Sequence, residues 1–124
     1  SQISLERVGL NWNEATISDN SGVKPERGPI DANAEKAYFT RAPLEKFKEV
    51  LQKEGVPVEI SLSAGGYVCN HLYFQLLKEN LKPWVLFIHV PYLKEQVVGK
   101  SQAPSSMSEF MMRKAVAAIL QSCH

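Results

Sequence analysis

Two cysteines and three histidines hold the nucleophilic and proton-transferring potential of this chain. Cys69 has the strongest local case. It closes residues 61–70, Ser-Leu-Ser-Ala-Gly-Gly-Tyr-Val-Cys-Asn, where an alternating strand pattern gives way through two glycines to helical spacing. The unsatisfied N–H groups of a helix N-terminus favour the thiolate, the nucleophilic form of a cysteine. The glycines allow the sharp turn that lifts a side chain clear of a sheet. The structural alternative is a cysteine serving as a small buried hydrophobe. A thiol nucleophile needs a base, and His71 is excluded because positions i and i+2 of a helix do not face each other. His124 is terminal. His89 remains, the one ionisable residue of the apolar run Trp-Val-Leu-Phe-Ile-His-Val at 84–90. It is either a hydrogen-bonded core histidine or the base that takes the thiol proton and returns it to a leaving amine. Glu6 is the acid available to fix its tautomer; the alternative for Glu6 and Arg7 is an exposed ion-pairing couple. Backbone N–H groups of the turn at 65–69 are placed to stabilise a developing oxyanion.

These residues need elements to hold them. Ile3 and Leu5, then Val8, Leu10 and Trp12, follow strand period with a phase slip at Glu6 and Arg7, as at a bulge or kink. Residues 13–40 are polar and rich in turn signals, among them Asp19-Asn20-Ser21-Gly22 and Gly28-Pro29, and read as one long loop covering a site or an interface. Residues 43–54 read as a helix, with Pro43 at its first position, a stripe of Leu44, Phe47, Val50 and Leu51, and Gly55 ending it. Val56, Val58, Ile60 and Leu62 form the buried face of a strand. Cys69, Leu72, Tyr73 and Leu76 begin an inward helical stripe that runs to about Asn80. Residues 84–90 read as a strand buried on both faces. Ser106-Met107-Ser108-Glu109 reads as a capping box opening a last helix whose stripe is Met112, Val116, Ile119 and Leu120. Cys123 and His124 fall past it.

Strand and helix alternate, which predicts a single α/β domain over 1–124, with a largely parallel twisted sheet and helices on both faces in three layers. Composition agrees, at 44% hydrophobic and 22% charged. A net charge of +1 with interspersed signs gives no electrostatic case for nucleic acid or membrane as a partner. The two cysteines make neither a disulfide framework nor a metal-ligand pattern, so no metal or cofactor is expected. No apolar run approaches a membrane span and the first residues lack a signal pattern, which reads as cytoplasmic. A thiol redox role is disfavoured because no second cysteine lies three positions beyond Cys69.

Three blocks resemble the cysteine pyroglutamyl peptidases, also called pyrrolidone carboxyl peptidases. Ser63-Ala64-Gly65-Gly66-Tyr67-Val68-Cys69-Asn70 is similar to the family's nucleophile signature. Residues 3–11, Ile-Ser-Leu-Glu-Arg-Val-Gly-Leu-Asn, are similar to its glutamate signature, and residues 87–92, Phe-Ile-His-Val-Pro-Tyr, to its histidine segment. Order and spacing agree, and similarity runs through Asp19-Asn20, the turn at 104–107 and the final helix.

The resemblance implies that Cys69 is the nucleophile, His89 the general base and acid, and Glu6 the orienting carboxylate. The implied reaction removes an N-terminal pyroglutamyl group from peptides through a thioester acyl-enzyme. Tyr67 and Val68 would bind the substrate, whose flat, uncharged lactam asks for an aromatic wall and a few amide hydrogen bonds. Bacterial-type relatives imply a homo-oligomer. Gly9 stands where the signature usually has alanine, and Thr16 where bacterial-type members carry an arginine. Family chains also continue before the glutamate block, so the fold is expected to be incomplete on its N-terminal side, lacking a first strand and part of the lactam pocket unless an N-terminal chain completes it. Poor turnover by the chain from Ser1 alone is the corresponding expectation. The alternative, from another class, is a catalytically inactive truncated homologue acting as an interaction or structural subunit.

Overall fold

The computed structural model describes residues 2–14, 27–66, 68–93 and 106–123. The chain divides into two compact units, one of Ser1–Leu5, Pro43–Ile60 and Ile88–His124, the other of Glu6–Ala42 and Ser61–Phe87.

In the first unit, the opening residues of β1 (Ile3–Leu10) pair antiparallel with β4 (Ile88–His89), with Ser4 opposite His89 and Leu5 opposite Ile88. The Ile3 N–H donates to the Pro57 carbonyl at 2.9 Å, just before β3 (Val58–Ser63). Helix α1 (Leu44–Lys53) buries Leu44, Phe47 and Leu51, the apolar face that its spacing dictates. Phe47 and Leu51 are wholly shielded, each contributing about 1.5–3 kcal/mol of burial. Pro43 is the N-cap, one position earlier than expected. At the other end, Gly55 takes φ of 75°, the left-handed conformation that favours glycine, and Val56 N–H returns to Leu51 O at 2.9 Å. Helix α3 (Glu109–Gln121) packs against α1. β5 (Tyr92–Leu93) and β6 (Ser106–Met107) form a separate parallel pair.

In the second unit, the rest of β1 pairs antiparallel with β2 (Ala37–Phe39), Val8 opposite Phe39 and Leu10 opposite Ala37. Helix α2 (Val68–Lys78) buries Asn70, Tyr73 and Phe74. The Phe74 ring lies 5.4 Å from that of Tyr38, and Tyr73 lies 5.8 Å from Phe87.

The α/β class holds, but the sheet is mixed rather than largely parallel, because β1 is antiparallel to both β2 and β4. The next described strand in the chain, β2, is the one that pairs antiparallel with the second half of β1. That strand also interrupts the expected loop over 13–40. Only Ile88–His89 of the expected strand at 84–90 is a strand, and Trp84 to His89 are half-buried. Continuous apolarity reports a preference for cover, and this run lacks cover on both faces. Leu62, assigned to a buried face, is 68% exposed. In α3 the buried positions are Ala115, Ala118 and Ile119, whereas Val116 and Leu120 face outward. Ser106 is part of β6, and the cap is Ser108, whose Oγ accepts from Met111 N–H at 3.2 Å. The turn at Asp19 to Gly22 lies outside the described residues.

Candidate active site

Cys69 lies in the first turn of α2 and is exposed. The chain reaches it from the end of β3 through Gly65, whose φ of 85° requires glycine and whose N–H donates to Ser63 Oγ at 3.2 Å. Gly66 then presses against the continuation of β1. Its carbonyl accepts the Glu14 N–H at 2.7 Å, and a Cβ there would stand 2.8 Å from Glu14 Cβ and 3.3 Å from Trp12 Cδ1. Trp12 Nε1–H donates to Glu14 Oε2 at 2.7 Å, and Arg27 pairs with Glu14 Oε1 at 2.8 Å. The first turn of α2 carries no acidic residue, so the partial positive charge of its N–H groups is not offset there.

The inward stripe expected from Cys69 is out by one position. Asn70, Tyr73 and Phe74 form the buried face, while Cys69 and Leu72 stand outside it. Spacing i, i+3, i+4 fits both assignments, and the polar Asn70 made its stripe look less apolar. The thiol is therefore presented to solvent rather than packed as a hydrophobe.

Asn70 was missed from the sequence, yet it is completely buried and pairs with β1 as a strand residue would. Its Oδ1 accepts the Leu10 N–H at 2.8 Å, and its Nδ2 donates to the Leu10 carbonyl at 2.8 Å and to the Trp12 carbonyl at 3.5 Å. One helical turn on, the Tyr73 hydroxyl donates to the Glu6 carbonyl at 2.8 Å. Burial, with a smaller contribution from the Glu6 charge, pushes the Tyr73 hydroxyl above its ordinary pKa. Between these two points a Cβ on Gly9 would stand 2.9 Å from both N and Cα of Phe74, so α2 lies directly on the strand backbone.

Glu6 is 2% exposed, which removes the reading of Glu6 and Arg7 as an exposed couple. Its N–H donates to the Phe87 carbonyl at 3.1 Å. The phase slip marks this burial, since Leu5 and Glu6 point to opposite faces of β1 and both are covered. Glu6 and Cys69 thus belong to one unit, joined by the α2 contacts with β1. His89 belongs to the other unit, half-buried on β4. His71 is exposed, 3.5 Å from Gln75 Nε2. Cys123 is exposed with its Sγ 3.2 Å from the Ile119 carbonyl. Tyr67 and Thr16 lie outside the described residues, and Val68 is 77% exposed.

Beside the glycine turn, Leu10, Trp12, Ala32, Ala34, Lys36 and Gly66 line a cavity of about 670 Å³. Its rim is fastened through Asn11, whose Nδ2 donates to the Asp31 carbonyl at 2.7 Å and whose Oδ1 accepts the Asp31 N–H at 2.9 Å. The Asp31 carboxylate accepts from Asn33 N–H at 2.9 Å and pairs with Lys78 at 3.1 Å, which together hold it below the usual carboxylate range. Among the described residues no three of His, Cys, Asp and Glu are grouped to hold a metal, and no helix is long and apolar enough to cross a membrane.

A family profile described as pyroglutamyl peptidase matches residues 1–123. The chain is 41% identical to pyrrolidone-carboxylate peptidase 2 of Caldanaerobacter subterraneus subsp. tengcongensis, over 98% of this chain and 62% of that protein. It is 42% identical to the pyrrolidone-carboxylate peptidase of Brachyspira hyodysenteriae, with the same coverages. Among solved structures, the pyrrolidone carboxyl peptidase of the hyperthermophile Pyrococcus furiosus matches with a TM-score of 0.87 at 39% identity, covering 98% of this chain and 62% of that one. The chain thus spans about three fifths of the length of these relatives.

Proposed function

The chain belongs to the pyroglutamyl peptidase family, and from that premise we propose that the protein hydrolyses N-terminal pyroglutamyl groups from peptides by cysteine acyl transfer. The observation that carries this reading is the exposed Cys69 in the first turn of α2, within a unit whose strand β1 also bears the buried Glu6. The thiolate attacks the pyroglutamyl carbonyl, and backbone N–H groups of the turn at 65–69 receive the developing oxyanion. His89 takes the thiol proton and donates it to the departing peptide amine, leaving a thioester on Cys69. Water activated by His89 then releases pyroglutamate. Glu6 orients His89, and Tyr67 and Val68 flank the lactam. The protein works in the cytoplasm without metal or cofactor, as a homo-oligomer. The outward Phe110, Val116 and Leu120 of α3, between 52% and 77% exposed, favour assembly.

The test is release of a fluorophore coupled to pyroglutamate by the protein at its native length, beside Cys69→Ala. Turnover by the parent and its loss in Cys69→Ala are expected. Equal turnover by both folded proteins refutes the nucleophile, and none by the parent refutes the activity.

A further inference from the structure

We propose that Asn70 is the positioning residue of the nucleophile, fixing Cys69 by pairing its side-chain amide with the main chain of Leu10. The inference rests on the reading of Cys69 as the attacking thiol. The chain on both sides of Cys69 is fastened to one continuous stretch, residues 10–14. On the N-terminal side the Gly66 carbonyl accepts the Glu14 N–H at 2.7 Å, and on the C-terminal side the Asn70 amide makes two bonds of 2.8 Å to Leu10.

Each fastening has an independent sign that close approach is needed. Gly66 has no room for a Cβ beside Glu14, and Asn70 is wholly buried with donor and acceptor both used. An aspartate in its place keeps the acceptor for Leu10 N–H but turns a carboxylate oxygen toward the Leu10 carbonyl. Alanine loses both bonds and strands two main-chain groups. Asn70 touches no reacting atom, so its effect passes entirely through the placement of Cys69.

Misplacing a reacting atom by about 1 Å costs on the order of a hundredfold in rate. The experiment compares kcat and KM for the pyroglutamyl fluorogenic substrate in the parent, Asn70→Ala, Asn70→Asp and Cys69→Ala, each at native length, with folding checked by circular dichroism. The positioning role predicts kcat reduced about a hundredfold in Asn70→Ala with KM within about threefold. In Asn70→Asp, activity relative to the parent recovers as pH falls and the carboxyl regains a proton to give the Leu10 carbonyl. Folded Asn70→Ala or Asn70→Asp with parental kcat overturns the positioning role while leaving the nucleophile reading intact. So does a loss confined to KM, or a relative activity of Asn70→Asp independent of pH where Asn70→Ala does not fold. Full turnover by Cys69→Ala, or none by the parent, fails both readings together.

Discussion

Gly9→Ala isolates the contact that brings α2 onto β1. A Cβ at this position meets Phe74 N and Cα at 2.9 Å and Leu77 Cδ1 at 3.1 Å. The leucine methyl can rotate away, but the helix backbone cannot, so α2 must lift by roughly 0.5 Å to restore ordinary contact. Overpacking of this kind costs about 1–3 kcal/mol. Alanine regains about 0.5–1 kcal/mol because it loses less backbone freedom on folding than glycine does. The net expectation is destabilisation by about 0.5–2 kcal/mol. With a urea dependence near 1.5 kcal/mol/M, the unfolding midpoint falls by about 0.3–1.3 M with an unchanged slope. Urea titration followed by tryptophan fluorescence measures it, since Trp12 and Trp84 both belong to this unit. A midpoint equal to or above that of the parent refutes the claim that glycine is needed for the approach of α2.

Tyr73→Phe removes the donor to the Glu6 carbonyl and is expected to cost about 0.5–1.5 kcal/mol near neutral pH in the same titration. Because burial raises the Tyr73 hydroxyl, its neutral form stabilises the fold fully below about pH 10 and that contribution fades as pH climbs past it. The phenylalanine variant should lose less stability on the alkaline side than the parent; an identical alkaline decline contradicts this. Asp31 behaves with the opposite sign. Its carboxylate, lowered by the Asn33 N–H and then by Lys78, contributes above about pH 4 and stops contributing as pH falls through its lowered value. Asp31→Asn should flatten the acid side of the stability profile, and an unchanged acid limb counts against the Asp31 account.

How much of this was legible in the sequence follows from what each signal reports. Helix α1 was read correctly because Leu44, Phe47 and Leu51 repeat at a period only a helix satisfies, and Gly55 supplied its stop. The position of Cys69 at a helix start was equally legible, because the glycines of the turn are a local requirement. Strand pairing was not. β2 is three residues long inside a polar stretch, and nothing in Ala37–Phe39 declares its antiparallel bond to β1. Asn70 was hidden for a related reason. A buried amide is justified by the main-chain groups it meets, and those lie 60 residues away at Leu10. The residues 84–89 misled because apolarity records which cover a segment prefers and not which cover this chain provides. The phase slip at Glu6 carried information that periodicity alone could not interpret, and burial of its carboxylate resolves it.

The central claim is that Cys69 carries the acyl group. Acid quenching of the protein at native length during turnover of an activated pyroglutamyl ester, followed by peptide mapping, measures this directly. A pyroglutamyl adduct on the peptide containing Cys69, with Cys123 unmodified, is the expected result. Steady turnover with no adduct on Cys69, or with the acyl group at another residue, contradicts the account.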